Sequence, residues 1–385
     1  MKRTLKKIYP DYSQNIIQNK GLDNIIKELE ILHKNNKLDF PYKKYIMTDR
    51  EILERFDRLA KYKHKIINFD YNFKFPLKLP DELLLDENKK MVLVFEPSDY
   101  HNYNLISDYF QEEARMKCLR SNREYTPYDF FNKNLDKVIK EAYEKYNHIN
   151  SHTMREAIFK LTSECSTFRP TVLISIINMF NSKVLLDISS GWGDRLIAAM
   201  AADVDYYFGT DPNKDLHDGY EKMIKFFKKD PNKFVIENEP FETVNIPKKN
   251  YDLIMTSPPY FKTEMYSDDK SQSIFNRDLF KWLKEFMLVS LDKAWKNLIV
   301  GGYLVLNIHN SGKGNHYTEP IITHVSNYSD SNYLGMISYG EFRDILGGKK
   351  VLRQPQPLWI WKKVSNNSIG GDFYNPEIII KPVEI

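Results

Sequence analysis

The feature that most constrains this chain is an alternation that begins near residue 180. Short apolar runs, several of them ending in a polar or acidic residue, are separated by stretches with helical spacing. Val184-Leu185-Leu186 ends at Asp187, and Tyr206 to Thr210 ends at Asp211. Phe234-Val235-Ile236, Asp252 to Thr256 and Tyr303 to Ile308 follow, the last behind Gly301-Gly302. Between them, Arg195 to Ala202, Asp218 to Lys228 and Leu279 to Lys296 read as helices, with another from Thr171 to Phe180. Strands that alternate with helices need crossover connections, so the chain is predicted to build an α/β fold around a parallel sheet. Leu334 to Ser338 and Leu358 to Lys362 are expected as two last strands.

Residues 1–150 lack this alternation. Asp49 to Ala60 places Ile52, Leu53, Phe56 and Leu59 at helical spacing. Tyr103 to Arg120 reads as a helix, and Thr126-Pro127 starts another that runs to about Tyr146. Lys90 to Glu96 reads as a strand. The expectation is a mostly helical accessory region over 1–150, an α/β domain over 151–365 and a tail over 366–385.

The net charge of +4 is unevenly placed: residues 1–78 hold 18 lysines and arginines against 10 aspartates and glutamates. That asymmetry fits an anionic partner, and equally a solvated surface with ordinary charge scatter. Ala60-Lys61-Tyr62-Lys63-His64-Lys65 and Phe40-Pro41-Tyr42-Lys43-Lys44-Tyr45 interleave basic and aromatic residues. They read either as phosphate contacts or as a basic face over core tyrosines. Two cysteines make no disulfide framework. His148 and His152 are four apart but lack the glutamate of a zinc helix, so no metal site is expected. No apolar run is long enough to cross a bilayer, and the basic start Met1-Lys2-Arg3 is followed by no apolar core of a signal peptide. A soluble, cytoplasmic protein is expected.

Three motifs carry chemistry. In Leu186-Asp187-Ile188-Ser189-Ser190-Gly191-Trp192-Gly193-Asp194-Arg195, a strand passes through a glycine turn into a helix. The glycines let a backbone approach a ligand, although a plain strand–helix turn has the same look. Asp211 ends the next strand, 24 residues after Asp187. An acid there holds ribose hydroxyls in nucleotide-type folds; ahead of Pro212 and Asn213 it also reads as a helix N-cap. The third motif decides: Thr256-Ser257-Pro258-Pro259-Tyr260-Phe261 follows the fourth strand. Two prolines fix the backbone, so Ser257 and the Pro258 carbonyl are held as acceptors for a planar amine, with Tyr260 to stack on its ring. The alternative is a Pro-Pro turn with a structural tyrosine.

Here the chain resembles the S-adenosylmethionine-dependent amino-methyltransferases of adenine N6 and cytosine N4. Their signature is (Asp/Asn/Ser)-Pro-Pro-(Tyr/Phe), matched by Ser257-Pro258-Pro259-Tyr260. Asp187, Gly191 and Gly193 match the glycine motif, with Ser189 where the family often has phenylalanine. Ser166-Thr167-Phe168-Arg169-Pro170 resembles the family's cofactor segment, and Gln356 to Lys363 its closing strand. The resemblance covers about residues 160–365. It implies a Rossmann-like methyltransferase sheet of seven strands, the last antiparallel, binding S-adenosyl-L-methionine. The implied cofactor contacts are Thr167, Phe168, Arg169, Pro170, Asp187, Ser189, Gly191, Trp192, Gly193, Asp211, Pro212 and Phe241. Ser257, Pro258, Pro259 and Tyr260 are the implied catalytic group.

The implied substrate is an exocyclic amine of a base in DNA, flipped out of the stack or taken from a single strand. Serine at the first motif position leans toward cytosine N4 over adenine N6. RNA, including a cap adenosine, is the alternative with the same chemistry. A protein glutamine amide and a non-catalytic nucleic-acid-binding subunit are the other readings. Target recognition is expected in residues 1–150 or in the polar loop Lys262 to Phe275, which is expected to close over the base. No protein partner, nuclease or viral, is legible.

Overall fold

A computed structural model describes residues 10–68, 91–95, 97–275, 278–310, 316–345 and 349–366. The expected tail 366–385, but for its first residue, lies outside these, as do the basic start Met1 to Lys7 and the ends, Lys90 and Glu96, of the early strand. The chain divides into two units. One comprises 1–49, 111–166 and 264–267; the other comprises 50–110, 167–263 and 268–385. This differs from the boundary expected at residue 150, because residues 50–110 supply strands to the same sheet as the α/β region.

The first unit is helical. Helices Leu22–Lys34, Leu135–Tyr146 and Ser151–Leu161 bury Ile25, Leu29, Val138, Ile139 and Ile158 in one cluster. The helix expected from Thr126 to Tyr146 is two, Pro127–Lys133 and Leu135–Tyr146, parted at Asn134. Thr126 caps the first by accepting from Asp129 N at 2.9 Å. Asn150 and Thr153 form a reciprocal capping box at the head of Ser151–Leu161. In this basic-aromatic segment Phe40 and Tyr42 are buried in the core, Lys44 pairs with Glu113, and Tyr45 is exposed. His148 bonds Asp11 at 2.6 Å.

The second unit is built on one nine-stranded sheet. Its strands are β1 (Lys65–Asn68), β2 (Met91–Phe95), β3 (Val184–Asp187), β4 (Tyr206–Thr210) and β5 (Phe234–Glu237). Then come β6 (Tyr251–Thr256), β7 (Leu298–Asn307), β8 (Ser331–Ile345) and β9 (Lys349–Lys363). The spatial order is β1-β2-β8-β9-β7-β6-β3-β4-β5. Strands β5, β4, β3, β6 and β7 are parallel, and β9 runs antiparallel between β7 and β8. This is the expected seven-stranded arrangement with its antiparallel strand, extended by two strands. Strand β2 pairs parallel with β8, and β1 pairs antiparallel with β2.

The two last strands are far longer than their apolar centres predicted, because their ladder runs on through mixed polar and apolar positions from Glu341↔Arg353 to Ile345↔Lys349. The helix expected from Leu279 to Lys296 includes a π-helical stretch, Trp282–Leu288, that buries Trp282, Leu283, Phe286 and Met287. All five tryptophans of the chain are buried in this unit. No helix among the described residues is long and apolar enough to cross a membrane.

Strand β3 sits at the turning point of this topology. From it the chain winds outward through β4 to β5, then returns to β6 on the other side. Crossovers leave in opposite directions there, which opens a crevice at the carboxyl ends of β3 and β6. The glycine turn leaves β3 at that end, and Ser257-Pro258-Pro259-Tyr260 leaves β6 beside it.

Candidate active site

The glycine turn is braced from below by buried groups. Asp187, 1% exposed, accepts from Arg195 Nε and the Tyr207 hydroxyl, each at 2.7 Å, and from Ser189 N at 3.2 Å. Burial, the largest single effect, disfavours charge on Arg195, but Asp187, Tyr207 and Asp194 together outweigh it and hold the guanidinium pKa above its ordinary value. The Arg195 guanidinium also lies 5.1 Å from the Phe168 ring. Gly193 has φ +84, a left-handed backbone that favours glycine, and a Cβ there would come within 2.9 Å of Met223 Sδ, which would have to move aside. Trp192 is 6% exposed.

The rim of the turn is different. Gly191 has φ +59, and a Cβ built on it meets nothing within 4 Å. Ser189, Gly191, Asp211 and Pro212 are all partly accessible. Asp211 Oδ2 accepts from Gly191 N and Oδ1 from Asn213 N, both at 2.9 Å. Burial raises its pKa to about 6, against the lowering effect of those two N–H groups. A carboxylate offers about four lone-pair positions, so each oxygen keeps capacity for a further donor such as a ribose hydroxyl. Its N-cap reading fails: the residue that caps the next turn is Asn213, which accepts from Asp215 N at 3.2 Å. The Tyr220 hydroxyl donates to the Gly191 carbonyl, and His217 bonds the Asp211 carbonyl at 2.7 Å.

The second half of the site stands on β6. Ser257, Pro259 and Tyr260 are partly accessible and Pro258 is buried. Ser189 joins the two halves: its Oγ is 3.1 Å from Thr256 Oγ1 and donates to the Ser257 carbonyl at 3.3 Å. A phenylalanine at that position has no hydroxyl with which to make this tie. Ser257 Oγ donates to Asn307 Oδ1 at 3.2 Å, and the Tyr260 hydroxyl to the Asn307 carbonyl at 3.4 Å. The Tyr260 ring meets His309 edge to face at 4.9 Å, and burial pushes the His309 pKa down, keeping that neighbour neutral.

The upstream segment divides. Asn104 Nδ2 donates to Thr167 Oγ1 and, at 3.2 Å, to the Phe168 carbonyl. Arg169 lies 5.9 Å from the Phe95 ring and 5.6 Å from that of Tyr339, and Pro170 opens the helix Pro170–Phe180. Ser166 belongs to the first unit, where its N–H and hydroxyl donate to Glu264 at 2.8 and 3.0 Å. Phe241 is 1% exposed, in the core with Leu186 and Ile188. The loop Lys262 to Phe275 is anchored at its start: Glu264–Met265 pairs with Leu119–Arg120, and Glu264 is buried.

Sequence reasoning missed Asn307, Tyr220, Asn104 and Tyr339. Asn307 was the legible one, because a polar residue closing an otherwise apolar strand next to β6 stands at the ligand end of a parallel sheet. Among the described residues, no three histidine, cysteine, aspartate or glutamate side chains come together as a metal-binding group.

No protein-family model matches the chain. No curated protein matches its sequence. Solved methyltransferase structures match its backbone. They include a tRNA (m1A58) methyltransferase from Aquifex aeolicus (13% identity; 52% of this chain, 71% of that one; TM-score 0.36). An rRNA methylase from Streptococcus thermophilus has 12% identity over 52% of this chain and 100% of its own (TM-score 0.35). An SAM-dependent O-methyltransferase from Thermotoga maritima has 11% identity over 54% and 70% (TM-score 0.35). Identities this low carry no substrate across to this chain.

Proposed function

We propose that this protein is an S-adenosylmethionine-dependent methyltransferase that methylates the exocyclic amine of a nucleic-acid base, cytosine N4 or adenine N6 in DNA. The observation that carries the reading is one juxtaposition. Ser257-Pro258-Pro259-Tyr260 leaves β6 beside a glycine turn that has an accessible Gly191 and a carboxylate, Asp211, on its rim. The residues fit the cofactor: Gly191 faces open space, Asp211 has acceptor capacity for ribose hydroxyls, and Ser189 and Pro212 flank them on the accessible side. Asp187, Gly193 and Trp192 hold the turn's shape from the buried side.

The bound cofactor would supply a methyl group on a sulfonium, open to displacement by the amine nitrogen. A base amine is a poor nucleophile because its lone pair is conjugated into the ring. Ser257 Oγ and the Pro258 carbonyl accept its N–H groups, which favours a pyramidal nitrogen and supports positive charge as it develops. Tyr260 stacks on the base and replaces neighbours lost on leaving a duplex. Fixing the amine between these groups supplies much of the remaining rate. The proton leaves after transfer, so no strong base is needed beforehand.

The test is incubation of purified protein with methyl-labelled S-adenosylmethionine and, separately, duplex DNA, single-stranded DNA and RNA, alongside calorimetric titration of the cofactor. Label in DNA supports the reading. Label in RNA alone keeps the chemistry and moves the substrate. Cofactor binding without label in any nucleic acid overturns the base-methylation reading in favour of a protein amide or a non-catalytic subunit.

A further inference from the structure

We infer that Asn307 is a positioning residue that commits the Ser257 hydroxyl to act as an acceptor, and so restricts the site to nitrogens that carry hydrogen. This rests on the amino-methyltransferase reading above. Asn307 closes β7 one residue beyond Leu306, the partner of Thr256, which brings it opposite Ser257. Its side chain is 3% exposed. Both ends of its carboxamide are in use. Nδ2 donates to the Pro357 carbonyl at 2.8 Å. Oδ1 accepts from Ser257 Oγ at 3.2 Å and from the Tyr339 hydroxyl at 3.3 Å.

The orientation of the carboxamide follows from Pro357. A carbonyl only accepts, so turning the amide over would set oxygen against oxygen there and leave two hydroxyls facing an NH2 group. The bond to Pro357 thus turns Oδ1 toward Ser257. A serine hydroxyl has one proton, and here it points at Asn307; what Ser257 presents to the crevice is lone pairs. The Pro258 carbonyl is an acceptor by nature. An exocyclic NH2 satisfies both with its two N–H groups. A ring nitrogen that offers only a lone pair would face two acceptor oxygens with no hydrogen to give them, and a buried polar mismatch of that kind is a strong device for rejection. The backbone of the same residue holds Tyr260, whose hydroxyl donates to the Asn307 carbonyl.

The experiment is a double-mutant cycle on methyl transfer to the nucleic acid that wild type modifies, with Ser257→Ala, Asn307→Ala and the pair. Products are identified by nucleoside mass spectrometry, and the cofactor dissociation constant is measured for each variant. Asn307→Ala is expected to lower kcat about 10- to 100-fold, with cofactor affinity within about twofold. It is also expected to raise the share of ring-nitrogen products such as 1-methyladenine or 3-methylcytosine. In the Ser257→Ala background the same substitution should change kcat by less than about threefold, since it acts through a hydroxyl no longer there. Tyr339→Phe removes only one donor to Oδ1 and tests the same coupling with the carboxamide intact, should Asn307→Ala fail to fold: a loss of about 2- to 5-fold that vanishes in the Ser257→Ala background. Losses that multiply in both cycles, or an unchanged kcat in Asn307→Ala, overturn the inference while the reading stands. A wild type that binds cofactor and methylates no base overturns the reading and takes the inference with it.

Discussion

Replacing Asp187 tests the frame on which the whole turn depends. Its carboxylate is 2% exposed and the Arg195 guanidinium 4% exposed, and they meet at 2.7 Å with the Tyr207 hydroxyl on the same oxygen. Asp187→Ala would leave a buried guanidinium without its counter-ion, and removing one partner of such a pair costs about 3–5 kcal/mol. The orphaned Tyr207 hydroxyl and Ser189 N–H add to that, although Tyr207 has a second contact in Ser190 Oγ at 3.3 Å. Native domains are stable by only about 5–15 kcal/mol, so the variant should be folded but marginal. Every tryptophan lies in the unit that contains the turn, so fluorescence-detected urea unfolding reports on that unit alone. With a slope near 3 kcal/mol per molar, the midpoint should fall by roughly 1–2 M. Asp187→Leu combined with Arg195→Met removes both charges and should recover at least about 2 kcal/mol of the loss. A single variant within about 1 kcal/mol of wild type, or a double variant worse than the single one, would refute the claim that a buried ion pair holds this turn.

Three further outcomes are expected. Gly191→Ala should cost the fold only about 1 kcal/mol, for a left-handed alanine, yet weaken cofactor binding at least about tenfold, because its methyl enters the open space; calorimetry that finds unchanged affinity refutes a cofactor at that turn. Asp211, raised to about 6 by burial, favours the fold most when protonated, so its contribution to apo stability is full below its unfolded value near 3.9 and is lost as pH rises through 6. Acceptance from ribose hydroxyls needs the carboxylate, so cofactor affinity should rise across the same window and become flat in Asp211→Asn; an unchanged profile in the variant would contradict that role. Tyr260→Ala should raise KM for nucleic acid by about 5- to 150-fold, the equivalent of about 1–3 kcal/mol of stacking, with cofactor affinity unaltered; kinetics with KM unmoved would place the ring outside the substrate site.

The sequence made the centre of this fold legible because apolar strands ending in Asp187, Asp211 and Thr256 are local patterns. The spans observed for β3, β4 and β6 differ from those expected by a residue at most. What was hidden depends on pairing at a distance. Nothing in Lys90 to Glu96 says that β2 will run parallel to β8, and so the first 150 residues looked like a separate region. The far halves of β8 and β9 mix charged residues with a few apolar ones in no regular alternation, and only the ladder between them shows that they are strands. In the site, the motif residues were readable as types, but their roles were not. Asp187 is as prominent in sequence as Asp211, yet it is buried and its carboxylate is taken up by Arg195 and Tyr207. Asn307 matters through Ser257, Tyr260, Tyr339 and Pro357, partners 32 to 50 residues away.

The most direct test of the central claim is nucleoside mass spectrometry of DNA and RNA after reaction with methyl-labelled S-adenosylmethionine, using wild type and Ser257→Ala. The predicted result is N4-methylcytosine or N6-methyladenine with wild type, and at least about 100-fold less with the variant at unchanged cofactor affinity. Label on a ring nitrogen or a ribose oxygen, or equal product from the variant, would contradict an exocyclic amine held by Ser257 and Pro258.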